Sequence, residues 1–203
     1  ISRIKIGLPA NFPAYDITPQ PIPQGLDYDM WVGPAQMSFY HPHKTFTTWR
    51  GISEYSAGKI ADWGAHHIDI ALWALDMAEA GPLEIVPKHV VWPKTGYSDQ
   101  PMEFSIVLTY PGGLEMEVSN LNKNGVEFFG TKNRKMFISR ETMFSSPVDI
   151  AQTRISPTKE TRLYPIRGGN HFTAFIDSVL DRRATSTDIS DAHRSNSACL
   201  LGE

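Results

Sequence analysis

The segment MEFSIVLTYPGGLEMEVS, residues 102–119, contains two runs of alternating side chains on either side of the turn sequence YPGG. Apolar residues occupy every second position in both runs, and this period of two is typical of β-strands. The turn between them predicts an antiparallel hairpin. The shared apolar face is formed by Phe104, Ile106, Leu108, Tyr110, Leu114, Met116 and Val118. Because the opposite face carries Glu115 and Glu117, we expect an open-faced antiparallel sheet.

Other strands and several helices extend this pattern in both directions along the chain. Residues 1–8 alternate, residues 82–92 form another strand, and residues 126–139 predict a hairpin with its turn at about Gly130–Asn133. Helical periodicity covers about Ile60–Asp76, which Gly81-Pro82 ends, and also residues 170–183 and 188–201. Strands grouped together with helices at either end predict the α+β class, with a mainly antiparallel sheet.

Three segments lack such periodicity. Residues 9–34 are rich in proline, which fixes φ and removes a hydrogen-bond donor, so we expect an extended crossing segment without a helix or a central strand. Its aromatic residues indicate that it packs on a surface. Residues 39–56 predict a loop, and residues 141–165 predict irregular structure.

Composition restricts the classes of function. The chain has 203 residues, a formal net charge of -3 and one cysteine, Cys199. The negative net charge gives no indication of nucleic-acid binding. A single cysteine excludes an intramolecular disulfide and a cysteine-based zinc site. No apolar run approaches the ~20 residues that a membrane helix needs. The sequence starts without Met and stops within a predicted helix, so we expect a fragment of a longer chain, whose compartment stays unassigned.

The segment GKIADWGAHHIDIALWAL, residues 58–75, places four titratable groups in an apolar stretch. On the predicted helix Asp62, His66 and Asp69 lie on one edge, since residues i, i+4 and i+7 share a face. A carboxylate beside a histidine fixes its tautomer, and the pair can exchange protons with a substrate hydroxyl. Two other interpretations stay open, a structural Asp–His pair and a metal site, although no second His/Asp cluster has matching spacing.

Weaker candidates lie outside this segment. Arg50 can bind a carboxylate or sugar hydroxyls, or can pair with Glu54, and His171 in the first turn of a predicted helix can face a ligand. The chain contains neither GxGxxG nor a P-loop, so it has no dinucleotide fingerprint of its own.

The segments AGKIADWGAHHIDIALWAL, PQGLDYDMWVGPA, WRGISEY and NHFTAFIDSVLDRR together resemble the C-terminal domain of the Gfo/Idh/MocA oxidoreductases. The likeness is to a bacterial subgroup with such a proline-rich segment. It implies that residues 1–203 are a single substrate-binding and oligomerisation domain, of the dihydrodipicolinate-reductase-like α+β type with helices on one face of the sheet. An N-terminal Rossmann domain, absent from this chain, would bind NAD or NADP.

The resemblance also implies roles for particular residues. Asp62 and His66 match the catalytic acid–base pair, and Asp69 matches an acidic position that contacts substrate. His67, Arg50 and His171 are further candidates for substrate binding, and no metal ligand is implied. The implied substrate is a sugar or polyol, and the implied partners are the chain's own Rossmann domain and a second copy bound through the open sheet, without nucleic acid or membrane. Related alternatives are an NAD-assisted glycosidase and a non-catalytic sugar-binding or assembly module.

Overall fold

A computed structural model describes residues 1–13, 16–154, 170–185 and 187–203. Its centre is a seven-stranded sheet with strand order β2-β3-β4-β1-β5-β6-β7. Strand β1 runs parallel to β4 and antiparallel to β5, and every other pair of neighbours is antiparallel. The strands are β1 (Arg3–Gly7), β2 (Glu84–Val91), β3 (Glu103–Tyr110), β4 (Leu114–Ser119), β5 (Gly125–Phe129), β6 (Lys135–Ile138) and β7 (Met143–Ser146). The predicted α+β class with a mainly antiparallel sheet is confirmed.

One face of the sheet forms the core. In β3 the predicted apolar set is buried at every second position, and β4 continues it with Met116 and Val118 across the hairpin. Strand β1 adds Ile4 and Ile6, both fully buried. Burial of these side chains on one face fixes the register, since a one-residue slip would turn them all to the other face.

The other face, here called the open face, is not covered by a helix of the described residues. One row of side chains crosses it in register from β2 to β6: Val86, Val107, Glu117, Lys5, Glu127 and Phe137. Lys5 pairs with Glu117 at 3.4 Å. Charged and apolar groups are therefore mixed along this face, as the alternation in the sequence predicts.

Gly7 ends β1 at a point where no side chain fits. A Cβ atom built there would overlap with the carbonyl oxygen of Lys123. Glycine lets the loop after β4 close over the end of β1, and this close approach positions the Gly7 carbonyl for the contact with His67 described below.

The helices of the described residues are α1 (Tyr28–Val32), α2 (Pro42–Thr45), α3 (Gly58–Asp62), α4 (Gly64–Ala74), α5 (Asp149–Gln152), α6 (His171–Asp181) and α7 (Ile189–Leu201), with a 3₁₀ turn at Thr48–Gly51. Three helices, α4, α6 and α7, are longer than the others. Helix α4 buries Ile68 and Leu72 against the core. None of the helices in the described ranges has the length and apolar character needed to cross a membrane.

The predicted single helix over Ile60–Asp76 is wrong in one respect, because the structure has two helices. α3 ends at Asp62, and α4 begins at Gly64. Gly64 packs against α7, where an added Cβ would lie 3.4 Å from the Cys199 sulfur. Glycine is a weak helix former, so the helix breaks where close packing with α7 requires that residue.

The proline-rich segment also departs from expectation, since it contains α1. Asp27 caps this helix by accepting a hydrogen bond from the Met30 amide at 3.0 Å, and Gly33 ends it with φ of 60°. Residues 27–33 contain no proline, so a good N-cap and the burial of Tyr28 against Tyr40 determine the local structure.

Two segments predicted as irregular contain regular structure. The predicted loop 39–56 contains α2 and the 3₁₀ turn. The segment 141–165 contains β7 and α5, and its part from residue 155 onward lies outside the described residues. Strand β7 forms because it pairs with β6, where Phe144 stacks on Phe137 with 5.0 Å between ring centroids.

Candidate functional site

His66, His67 and Asp69 lie in the first turns of α4, beside a cleft of about 290 Å³. His66 and Asp69 are exposed, and their spacing of three residues places them on one edge of the helix. The opposite wall of the cleft comes from the end of β6 and the hairpin loop after it, at Ile138, Ser139 and Arg140. The cleft therefore combines an imidazole, a carboxylate and a guanidinium group.

His67 is the buried member of this set. Its Nδ1 atom lies 2.9 Å from the Gly7 carbonyl oxygen. A carbonyl oxygen only accepts hydrogen bonds, so Nδ1 carries the proton and Nε2 is the unprotonated nitrogen of the neutral ring. Burial lowers the pKa of His67 below its ordinary value of 6.5, the bond to Gly7 opposes that change, and the charges of His66 and Arg140 lower the pKa further.

Asp62 belongs to a different cluster. Its carboxylate accepts a hydrogen bond from Lys59 Nζ at 2.8 Å and lies 3.6 Å from Arg50 Nε. Asp62 is not among the residues that line the cleft, and no hydrogen bond within the described ranges joins it to His66. The described contacts of Asp62 are therefore with Lys59 and Arg50 and not with His66.

The two cations beside Asp62 also lie on aromatic rings. Lys59 Nζ is 4.1 Å from the Phe12 ring centroid, and the Arg50 guanidinium carbon is 4.6 Å from that of Trp49. Such contacts restrict both side chains. The described carboxylate that pairs with Arg50 is that of Asp62, which the sequence did not suggest, and not that of Glu54.

His171 is placed elsewhere. It begins α6 and lines a separate cavity of about 520 Å³ together with Phe172 and Phe175. No residue of α4 lines that cavity. The structure therefore brings three of the predicted residues, His66, His67 and Asp69, together, and brings Arg50 to Asp62.

Sequence reasoning missed Lys59 and Arg140. Lys59 lies three residues before Asp62, and this i,i+3 spacing of opposite charges is a signal that could have identified it. Arg140 lies in a hairpin loop, and no local pattern indicates that this loop reaches α4.

The side chains at the cleft determine which metal ions or cofactors it could bind. In the part of the chain that the structure describes, no three His, Cys, Asp or Glu side chains come together to hold a metal ion. The cleft provides groups suited to proton transfer and to hydroxyl binding, and the sequence lacks the glycine fingerprint that holds a dinucleotide.

A family model and several solved structures match the chain. The model of the oxidoreductase family C-terminal alpha/beta domain matches residues 13–203. No curated protein matches the chain. Among solved structures, UDP-N-acetylglucosamine 3-dehydrogenase GnnA from Acidithiobacillus ferrooxidans is 12% identical, with a TM-score of 0.45, over 99% of this chain and 52% of that one. A Thermotoga maritima protein described as an oxidoreductase is also 12% identical, with a TM-score of 0.45, over 98% and 51%. The chain spans about half the length of these structures.

Proposed function

Since this chain belongs to the Gfo/Idh/MocA oxidoreductase family, as its C-terminal alpha/beta domain, we propose that it is the substrate-binding half of an NAD(P)-dependent sugar or polyol dehydrogenase. Residues 1–203 would form one domain, and a Rossmann domain of the same protein would complete the enzyme. The observation that carries the proposal is the cleft in which the exposed His66 and Asp69 stand beside the buried His67.

His66 is the proposed proton acceptor. It is exposed to the cleft, and an imidazole can accept a hydroxyl proton near neutral pH. Asp69 is one helical turn away on the same edge, so its carboxylate can accept a hydrogen bond from a neighbouring hydroxyl of the same substrate. A sugar or polyol presents adjacent hydroxyls, and this pair of acceptors fits two of them.

His67 and Asp62 have supporting roles in the proposal. The hydrogen bond to Gly7 leaves His67 Nε2 as an acceptor, which suits it to hold a substrate hydroxyl. Asp62 is the proposed second member of the acid–base pair. Its carboxylate is held by Lys59 at the end of α3, and no hydrogen bond joins it to His66 in the described residues, so in this proposal a bound substrate links the two groups.

A nicotinamide cofactor, when bound, supplies the hydride acceptor. The chain has no phosphate cradle, so the residues that hold the cofactor would lie in the Rossmann domain. Arg50 and His171 remain proposed substrate contacts, although they lie away from the cleft lining.

The experiment replaces His66 by Ala in the full-length native protein and follows cofactor reduction over a panel of sugars and polyols. Loss of a positioned acid–base group lowers turnover by ~10²–10⁴-fold, and cofactor affinity should stay unchanged. His193→Ala is the matched control, because His193 is an exposed histidine on α7 outside the cleft. Unchanged turnover in His66→Ala would contradict the proposal, and loss of folding would favour a structural role for the segment.

The open face supports a second part of the proposal, that two copies of the chain associate through it. Its central row alternates in charge at Glu117, Lys5 and Glu127 and ends in Phe137, which is buried. A two-fold axis that passes between Lys5 and Glu127 would place Lys5 of each copy opposite Glu127 of the other, which gives the reciprocal contacts of an isologous interface.

A further inference from the structure

Arg140 is held over the cleft by a structured hairpin loop. The Ser139 hydroxyl accepts hydrogen bonds from the amides of Thr142 at 3.1 Å and Glu141 at 3.4 Å. The Arg140 guanidinium carbon lies 4.7 Å from the Trp63 ring centroid, between α3 and α4. The loop and the ring thus position the guanidinium group beside His66 and His67.

The guanidinium group of Arg140 has no carboxylate partner among the described residues. Three other arginines do pair with a carboxylate: Arg50, Arg183 and Arg194. Asp69 lines the same cleft but forms no ion pair with Arg140. The exposed Arg140 thus brings a planar fork of five N–H donors without an ion pair to the lining of the cleft, and such a fork matches the geometry of a carboxylate or a phosphate.

We propose that Arg140 binds an anionic group, a carboxylate or a phosphate ester, on the sugar that the cleft accepts. The inference rests on the proposed function and narrows its substrate class from any sugar or polyol to a negatively charged one. In the bound complex Asp69 takes a hydroxyl on one wall, Arg140 takes the anion on the other, and the reacting hydroxyl lies at His66. The two opposite charges stay apart, so neither cancels the other before the ligand binds.

The size of the cleft limits the ligand. Its volume of about 290 Å³ lies at the low end of the ~300–1,000 Å³ typical of small-molecule sites. One sugar ring with a single charged substituent suits such a space.

The experiment measures binding by calorimetry in the cofactor-saturated full-length protein, so that it does not depend on turnover. The probes are D-glucuronate, D-glucose 6-phosphate and neutral D-glucose. We expect a charged probe to bind more tightly than glucose. Arg140→Gln should lower the affinity for that charged probe by ~10–100-fold, as the loss of other charge-assisted hydrogen bonds does. Affinity for glucose should not change.

Two further variants sharpen the result. Arg134→Gln removes the same charge from the β5–β6 turn, which lines a different cavity, and should leave all three affinities unchanged. Arg140→Lys keeps the charge without the planar fork, so it should preserve phosphate binding better than carboxylate binding. This comparison identifies which anion the site takes.

Several outcomes would overturn the inference. The first is that the wild type binds charged and neutral probes with equal affinity, and the second is that it binds none of the probes. The third is that Arg140→Gln lowers the affinity for glucose as much as the affinity for the charged probes. Weaker binding of the cofactor alone in Arg140→Gln would assign the guanidinium to a cofactor phosphate. None of these results decides the proposed function, which the His66→Ala turnover tests separately.

Discussion

Replacing His67 by Phe tests the most buried polar contact of the site. The variant removes the donor to the Gly7 carbonyl and keeps an aromatic ring beside Trp63, whose ring centroid lies 5.7 Å away. Leaving a buried acceptor without its partner costs about 1–3 kcal/mol. At mildly alkaline pH we therefore expect the free energy of unfolding to fall by about that amount.

The pH dependence follows from the lowered pKa of His67. The folded state holds this pKa below 6.5, and burial is the main cause. As the pH falls through that ordinary value, the unfolded chain binds a proton that the folded chain resists, so the folded state loses stability. The loss is complete below the folded-state pKa, where the imidazole is protonated in both states.

The assay is urea unfolding of the native protein and of His67→Phe, from mildly alkaline pH to about pH 5, where an ordinary histidine is protonated. The stability gap should be widest at alkaline pH and should narrow on acidification, since only the wild type retains the buried imidazole. His193→Phe, at an exposed site, controls for a general effect of removing a histidine. Equal pH slopes in the wild type and His67→Phe, or no destabilisation at alkaline pH, would refute the reasoning.

Gly7→Ala should destabilise the fold by about 3 kcal/mol or more, because the new Cβ would overlap with the Lys123 carbonyl. Gly81→Ala is the control and should leave stability nearly unchanged, because a Cβ there has no atom within 4 Å. Thermal unfolding measures both, and equal melting temperatures would argue against the close approach at Gly7. Val107→Arg places a charge on the open face at β3, next to Glu117, and should shift the protein to a smaller species in sedimentation experiments. An unchanged sedimentation coefficient would exclude association through this face.

The sheet could be predicted because its signal is local. In β3 and β4 every second residue is apolar, and the structure buries that set. Strand β7 has the sequence MFSS, which shows no such alternation, and it becomes a strand only by pairing with β6 through Phe144 and Phe137. Helix α1 was missed because the prolines around it dominate the composition, while its determinants are one cap and one buried ring.

The geometry of the candidate residues could be predicted in part for the same reason. The spacing of His66 and Asp69 lies within one helix and is preserved, but the predicted helix over Ile60–Asp76 is divided just before Gly64. That residue packs against Cys199, near the other end of the sequence, so no local pattern could show that the helix breaks there. The position of Arg140 over Trp63 also depends on contacts between distant parts of the chain.

The adjacent histidines explain why an apolar segment carries so many titratable groups. Successive residues of a helix point about 100° apart, so His67 can enter the core while His66 faces the cleft. The core imposes a neutral ring and one tautomer on His67 through burial and Gly7. His66 has no such contact among the described residues, and therefore keeps both ring nitrogens available. The exposure of His66 at the cleft is the arrangement that its proposed role as a proton acceptor requires.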